Sequence, residues 1–283
     1  NLSTLDGTNG FRLDGVATDD QSGRSVSSAG DVNGDGYDDL IIGGIGADNN
    51  GTKSGSSYVV FGKASAFAAT VDLSTLDGTT GFRLDGVAAS DYSGISVSSA
   101  GDVNGDGYDD LIIGAFFADP NGNNSGSSYV VFGGASNIGA TVNLSTLDGT
   151  NGFRLDGVAA SDSGASVFSA GDINGDGYDD LIIGANRADI NGTDSGSSYV
   201  VYGGAKWGAS AQVATVGDDT VTGTAGADSL IGGEGNDTLN GAGGADVLRG
   251  GSGNDAITVN DLTFAQVDGG LGTDTLHLNG TGL

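Results

Sequence analysis

The chain has 283 residues, of which 56 are glycine, one is proline and none is cysteine or methionine, and its formal net charge is −28. Nine Lys and Arg set against 37 acidic residues exclude the basic stripe that nucleic acid requires, and the lack of cysteine excludes disulfides, thiolate catalysis and zinc–thiolate sites. No apolar run approaches the roughly 18 residues needed to span a bilayer.

Glu234 is the sole glutamate. Acidity serving solubility alone would draw on Glu as well, so Asp set beside Gly and Asn points to turn and ligand duty. No basic and then apolar leader is legible at the start, and a chain opening on Asn1 reads as a processed product or an excerpt.

From the first residue the chain repeats itself. Leu-Ser-Thr-Leu-Asp-Gly begins at Leu2, Leu73 and Leu144, and Gly-Phe-Arg-Leu-Asp-Gly-Val-Ala at Gly10, Gly81 and Gly152, both at spacings of 71. The later motifs are spaced 71 and then 70, because the five residues Ser90–Gly94 shorten to four at Ser161–Gly164. Three repeats follow, about 1–71, 72–142 and 143–204.

Each repeat holds four strand candidates separated by Gly, Asp and Asn turns. Phe11 and Leu13 alternate with Arg12 and Asp14, as in a half-exposed strand. A short polar strand surrounds Val26. Leu40-Ile41-Ile42 and Tyr58-Val59-Val60-Phe61 are continuously apolar, which implies cover on both faces. Nothing persuasively helical interrupts them, so the expected class is all-β.

Between the second and third strands lies a nine-residue loop, Asp31–Asp39, repeated at Asp102–Asp110 and Asp172–Asp180. Oxygen-bearing side chains recur at positions 1, 3, 5 and 9: Asp31, Asn33, Asp35, Asp39; Asp102, Asn104, Asp106, Asp110; Asp172, Asn174, Asp176, Asp180. Glycines at positions 4 and 6 allow so short a loop to curl. Many oxygens without nitrogen or sulfur describe a hard-cation site, and a flexible loop suits calcium better than magnesium. Position 7, Tyr37, Tyr108 or Tyr178, is expected to add its backbone carbonyl. An EF-hand would end in Glu at position 12 between helices. Here position 12 is Ile42, Ile113 or Ile183, so the loop joins strands.

These repeats resemble FG-GAP repeats, the blades of integrin-type β-propellers, whose D-x-N-x-D-G-x-x-D loops hold calcium. Gly114-Ala115 with Pro120 matches the family's GAP element, Gly43-Gly44 and Gly184-Ala185 match it in part, and the FG element is reduced to Ser-Gly at Gly23, Gly94 and Gly164. The resemblance implies propeller-type blades, one calcium per loop, and a ring that three blades leave incomplete, since propellers close with about 4 to 8. Further blades of a longer protein, other chains, or an open stack could each meet that deficit.

Past Gly204 the pattern changes. Residues 205–216, with the single Trp207, read as a linker, and a nine-residue rhythm occupies 217–283. Asp219, Asp228, Asp237, Asp246 and Asp255 are nine apart, each followed two residues later by Val221, Leu230, Leu239, Leu248 or Ile257. The stretches beginning at Gly232 and Gly250 fit G-G-x-G-x-D-x-U-x, and those at Gly223 and Gly241 fit it with glycines exchanged. They resemble RTX (haemolysin-type) repeats, which implies a parallel β-roll with calcium between stacked turns. Two nonapeptides make one coil, so Asp219, Asp237 and Asp255 should line one side, and Asp228 and Asp246 the other. The rhythm breaks at Phe264 and resumes at Gly269 with Asp274, one residue out of register, so the last turn should be irregular. Roughly three well-formed sites are expected here beside the three loops.

Catalysis finds no foothold. His277 is the only histidine, no serine sits in G-x-S-x-G, and neighbours such as Asp38 and Asp39 face opposite ways in a strand. The expectation is a non-enzymatic, calcium-binding structural or adhesive module of a bacterial extracellular or cell-surface protein, exported by type I secretion and folding on meeting calcium. A cell-surface glycan or protein, self-association, or further blades would be its partners. A filament or surface-layer subunit and the non-catalytic part of a secreted hydrolase are the alternatives.

Overall fold

The computed structural model describes residues 1–135, 138–158, 166–204, 212–213, 217–223, 228–244, 246–264 and 266–279. Most of the linker with Trp207, and the shortened segment Ser161–Gly164, lie outside the described residues. Two compact units are present. One comprises Asn1–Gly101, Asp109–Ser169 and Ile182–Val200, the other Asp102–Tyr108, Ala170–Leu181 and Val201–Leu283. The protein is all-β, and among the described residues the helical turns are three-residue 3-10 segments at Leu2–Thr4, Leu73–Thr75 and Leu144–Thr146. Each begins on an Asn or Asp whose side chain accepts the N–H two residues on, a local N-cap.

The first two sheets each take an outer strand from the next repeat. In the second, Ser93–Gly101 pairs with Asp110–Ala115, then Ser127–Val131, then Gly152–Asp156 of the third repeat, all antiparallel. The first has the same order, Ser22–Gly30, Asp39–Gly44, Ser56–Val60 and Gly81–Asp85, and gains Thr141–Asn143 in parallel at its edge. Ser166–Gly171, Asp180–Ala185 and Ser197–Val201 form the third. The polar strand around Val26 runs nine residues, longer than its sequence suggests, because a register shift between Ser22 and Ser25 absorbs Gly23. An Asn extends the strand exchange: the Asn50 amide donates to the Gly86 carbonyl, and Asn121 to Gly157.

Cover on both faces holds fully only for the middle sheet. Leu111, Ile112 and Ile113 are all wholly buried, whereas Leu40 and Ile182 are exposed. The reason is stacking. Val97 of the second sheet lies in one core with Ile41, Val59 and Phe82 of the first, while Val26, the counterpart of Val97, is 66% exposed. On the other side, Ser96 Oγ accepts the N–H of Val167, as Ser25 Oγ accepts that of Val97.

The roll is two four-stranded parallel sheets. Gln212–Val213, Ser229–Glu234, Val247–Ser252 and Gln266–Asp268 make one, and Thr220–Thr222, Thr238–Asn240, Ala256–Val259 and Thr275–Leu278 the other. Leu230, Leu239, Leu248 and Ile257 fill the narrow core with Val221, the aliphatic register read from the sequence. The break does not end it. Val247 pairs with Gln266 and Ala256 with Thr275, so the extra residue falls after Val259, and pairing resumes one position later.

Successive loops are clasped by the eighth residue. Asp109 Oδ2 accepts the N–H of Asp31 at 2.8 Å while its own N–H donates to the Asp31 carbonyl at 3.2 Å. Asp179 treats Asp102 identically, at 2.8 and 3.2 Å. Gly30 stands so close that any Cβ would strike the Asp109 side chain. Asp38, the equivalent in the first loop, is exposed and meets no hydrogen-bond donor among the described residues. Asp109→Ala should therefore cost about 1–3 kcal/mol, the usual cost of leaving a partly buried N–H unpaired. Asp38→Ala should stay within about 0.5 kcal/mol. Urea unfolding of both variants checks the contrast, and equal effects would refute the clasp.

Candidate metal centres

The first loop is shaped by its own carboxylates. Asp31 accepts the N–H groups of Asp35 (3.0 Å, Oδ1) and Gly36 (2.8 Å, Oδ2), Asn33 Oδ1 also accepts Asp35 N–H at 2.9 Å, and Asp35 Oδ1 accepts Tyr37 N–H at 3.0 Å. Gly34 and Gly36 sit at φ +73 and +86, where a side chain would be strained, which is why glycines hold these positions. The third loop repeats this. Asp172 accepts from Gly175, Asp176 and Gly177, Asn174 from Asp176, and Asp176 from Tyr178, at 2.8–3.1 Å. In the second, Asp102, Asn104 and Asp106 do likewise.

Position 9 is a buckle. Asp39 is fully buried, with Oδ2 accepting Val32 N–H at 3.0 Å and Oδ1 accepting Gly62 N–H at 2.8 Å. Asp180 does the same to Ile173 and Gly203, and Asp110 Oδ1 accepts from Gly133. Burial pushes Asp39 up to about 7 against the pull of those two N–H groups, with Asp31 and Asp35 adding repulsion. Asp106 rises to about 6, first by burial and then by Asp102. Tyr37 is exposed and Tyr178 buried. Among the described residues no three acidic or histidine side chains converge to hold a metal by themselves, so a cation here needs Asn and backbone oxygens as well.

In the roll each Asp reaches back one coil. Asp237 Oδ1 accepts Asp219 N–H at 2.8 Å, Asp255 accepts Asp237 at 2.7 Å, and Asp274 accepts Asp255 at 2.9 Å. Asp246 accepts Asp228 at 3.0 Å in a second column. Asp274, doubtful from its register, thus joins the first. The second oxygen is the informative one. Asp237 Oδ2 and Asp255 Oδ2 are buried without any hydrogen-bond partner. Each of these carboxylates crowds a glycine, Gly232 or Gly250, where a Cβ would collide with it, and Gly269 stands in the same relation to Asp274. Two buried orphan oxygens aligned along one edge, with carbonyls beside them, suit a hard cation.

Sequence reasoning did not find the clasps Asp109 and Asp179, whose only signal is the thrice-repeated Asp-Asp. It also passed over a neighbouring ladder, in which Asp218 Oδ1 accepts Asn236 N–H, Asn236 accepts Asn254, and Asn254 accepts Thr273.

Burial raises Asp237, Asp246 and Asp255 above the ordinary 3.8, and the neighbouring Asp of the same column raises each further. Folding therefore favours their protonated forms. The contribution is complete below the unfolded value and is lost as pH climbs through the raised one. In calcium-free buffer the melting temperature of the roll should fall as pH rises above the ordinary carboxylate value of 3.8. Saturating calcium should abolish or reverse that slope. A slope unaffected by calcium, by differential scanning calorimetry, would dissociate these carboxylates from metal.

A family model described as FG-GAP repeat matches residues 22–60, 93–131 and 164–201, and one described as RTX calcium-binding nonapeptide repeat matches 213–248 and 231–261. The chain is 29% identical over 217 residues to phosphatidylinositol-glycan-specific phospholipase D of Dictyostelium discoideum, covering 71% of this chain and 21% of that protein. It is 31% identical over 144 residues to integrin alpha-6 of Gallus gallus (50% and 12%) and 32% over 190 to integrin alpha pat-2 of Caenorhabditis elegans (65% and 14%). The chain thus spans about a fifth or less of these relatives. The matched segments coincide with strands of the three sheets and with the parallel roll: the chain carries three FG-GAP repeats followed by RTX calcium-binding nonapeptide repeats.

Proposed function

We propose that this chain is a calcium-stabilised structural and adhesive module of a secreted or surface-attached bacterial protein. Calcium is bound by its loops and by the Asp columns of its roll. One observation carries the reading: the buried, unpartnered oxygens of Asp237 and Asp255. A buried carboxylate oxygen without donor or cation is destabilising, and calcium supplies what the fold omits. In the roll, Asp219, Asp237, Asp255 and Asp274 would hold it on one side, Asp228 and Asp246 on the other. In the loops, Asp31, Asn33 and Asp35, and Asp172, Asn174 and Asp176, would do so with the Tyr37 and Tyr178 carbonyls, while Asp39 and Asp180 shape the loop from behind. The second loop fits less well, because Arg249 already donates to Asp102. Scarce cytosolic calcium would leave the acidic chain unfolded before export, and sites of Kd about 10⁻⁴ to 10⁻³ M would fill outside.

The sheets support a propeller completed by neighbours. Val26, Leu40 and the exposed Asp38 lie on the open side of the first sheet, and Phe168 and Ile182 are bare in the third. Their counterparts Val97, Leu111 and Ile112 in the middle sheet are buried. Further FG-GAP blades of the same protein, or another copy, would meet both needs. Such copy-to-copy stacking also favours the second reading, a filament or surface-layer subunit. The phospholipase relative, of which this chain spans 21%, supports a third reading, the non-catalytic part of a larger hydrolase.

Amide hydrogen exchange on the full chain tests the calcium reading. Leu230, Leu239 and Leu248 should lose protection by a factor of at least about ten in chelator, equivalent to roughly 1.4 kcal/mol. The middle sheet, with its large shared core, should lose far less. Equal protection of the roll with and without calcium would mean that packing alone holds it.

A further inference from the structure

The outward face of the roll is buried, and glycine covers it. In the strand Val247–Ser252, Leu248 lies in the roll core, so Val247 and Arg249 point away from it. Both are nevertheless buried, Arg249 being 6% exposed, and so is Ile231. Within the second unit they press on the loops: Val247 fills the space above Gly107, Ile231 meets Gly105 and Gly177, and the Arg249 stem lies over Gly177. These glycines are the turn positions of the second and third nonapeptide loops.

The guanidinium ends on a ligand position. Arg249 Nη2 donates to Asp102 Oδ2, and to Gln266 Oε1 at 3.2 Å, while Nη1 is buried without a partner. Asp102 is the first residue of the second loop, and its two oxygens already accept N–H from Gly105, Asp106 and Gly107 at 2.7, 3.1 and 2.7 Å. Arg249 also draws down the Asp106 carboxyl, though less than burial raises it. Among the described residues, Asp31 of the first loop has no basic side chain paired with it. A guanidinium and a divalent ion on one desolvated carboxylate would repel each other in a low-dielectric setting, where such repulsion is poorly screened.

We propose that Arg249 occupies the cation position of the second loop, so that docking of the roll's outward face there and calcium binding at Asp102 exclude one another. This rests on the reading of the loops as calcium sites. The second loop is then closed by a built-in cation, and calcium enters it only when Arg249 withdraws.

Counting calcium on the intact chain by native mass spectrometry at saturating metal tests this. Asp35→Asn, in the first loop, should carry one ion fewer than the wild type. Asp106→Asn should carry the same number as the wild type. Arg249→Gln should carry one more, and adding Asp106→Asn to it should remove that ion. Arg249→Met, which keeps the stem over Gly177, serves if the Gln variant does not fold. Loss of an ion in Asp106→Asn alone, or no gain in the Arg249 variants, overturns the proposal. An unchanged count in Asp35→Asn instead overturns the calcium reading of the loops, and the proposal with it.

Discussion

Aspartate oxygens bonded to backbone N–H groups set the geometry of both architectures. In the loops, the carboxylate of position 1 gathers the N–H groups of positions 5 and 6, and in the second and third loops that of position 4 as well, while position 9 buckles the loop to the hairpin end. In the roll, each Asp accepts from the Asp one coil earlier. Such charge-assisted bonds are stronger than neutral ones, and they let a glycine-rich chain hold short irregular turns that propensity would not favour. They also bring carboxylates into rows. With a net charge of −28, the interaction that builds the fold creates the repulsion that a cation must relieve. The proposed calcium would complete an arrangement that hydrogen bonds have already positioned.

Strand exchange distributes that order along the chain. Because Gly81–Asp85 lies beside Ser56–Val60 in the first sheet and Gly152–Asp156 beside Ser127–Val131 in the second, neither of the first two repeats completes its sheet without the next. The Asp109 and Asp179 clasps then tie loop to loop across the stack. Stacking neighbours this way buries a continuous core that no single repeat could make, so stability resides in interfaces. The middle sheet is the most buried because it has two neighbours, with no change in its own apolar strand.

How far the sequence disclosed this depended on whether a feature recurs with a local physical cause. The recurring loop turns, the apolar strands and the aliphatic register of the roll are legible, since spacing within a few residues dictates them, whereas position 9, expected among the ligands, turns both oxygens of Asp39 to backbone N–H groups. The clasp is not legible, since Asp109 acts on a residue 78 positions away, and alternation along a strand says only that Asp38 and Asp39 face opposite ways. The outer strand was assigned within its own repeat because period alone cannot say whether Phe82 pairs backward or forward. Asp274 stands out of register in the sequence because one inserted residue shifts the pattern. The structure absorbs that insertion in the turn after Val259 and restores both columns of strand pairing. Arg249 carried no signal at all, being one of nine basic residues at a variable position.

The near exclusion of glutamate follows from the same geometry. An Asp carboxylate stands one methylene from its Cα, which suits an N–H two to five residues ahead, the span bridged by Asp31, Asp35, Asp77 and Asp261. Glutamate would place the oxygens past those donors and add a further rotor to be frozen on folding. In the roll the constraint is tighter, because the carboxylate lies against Gly232, Gly250 or Gly269 with no room for a Cβ on the glycine side. A longer side chain would meet the preceding coil's backbone rather than its N–H. The one glutamate, Glu234, sits in a roll strand at a position that no Asp column uses. Where acidity is needed only as charge, Glu would serve. Where it must also shape the backbone, this chain uses Asp.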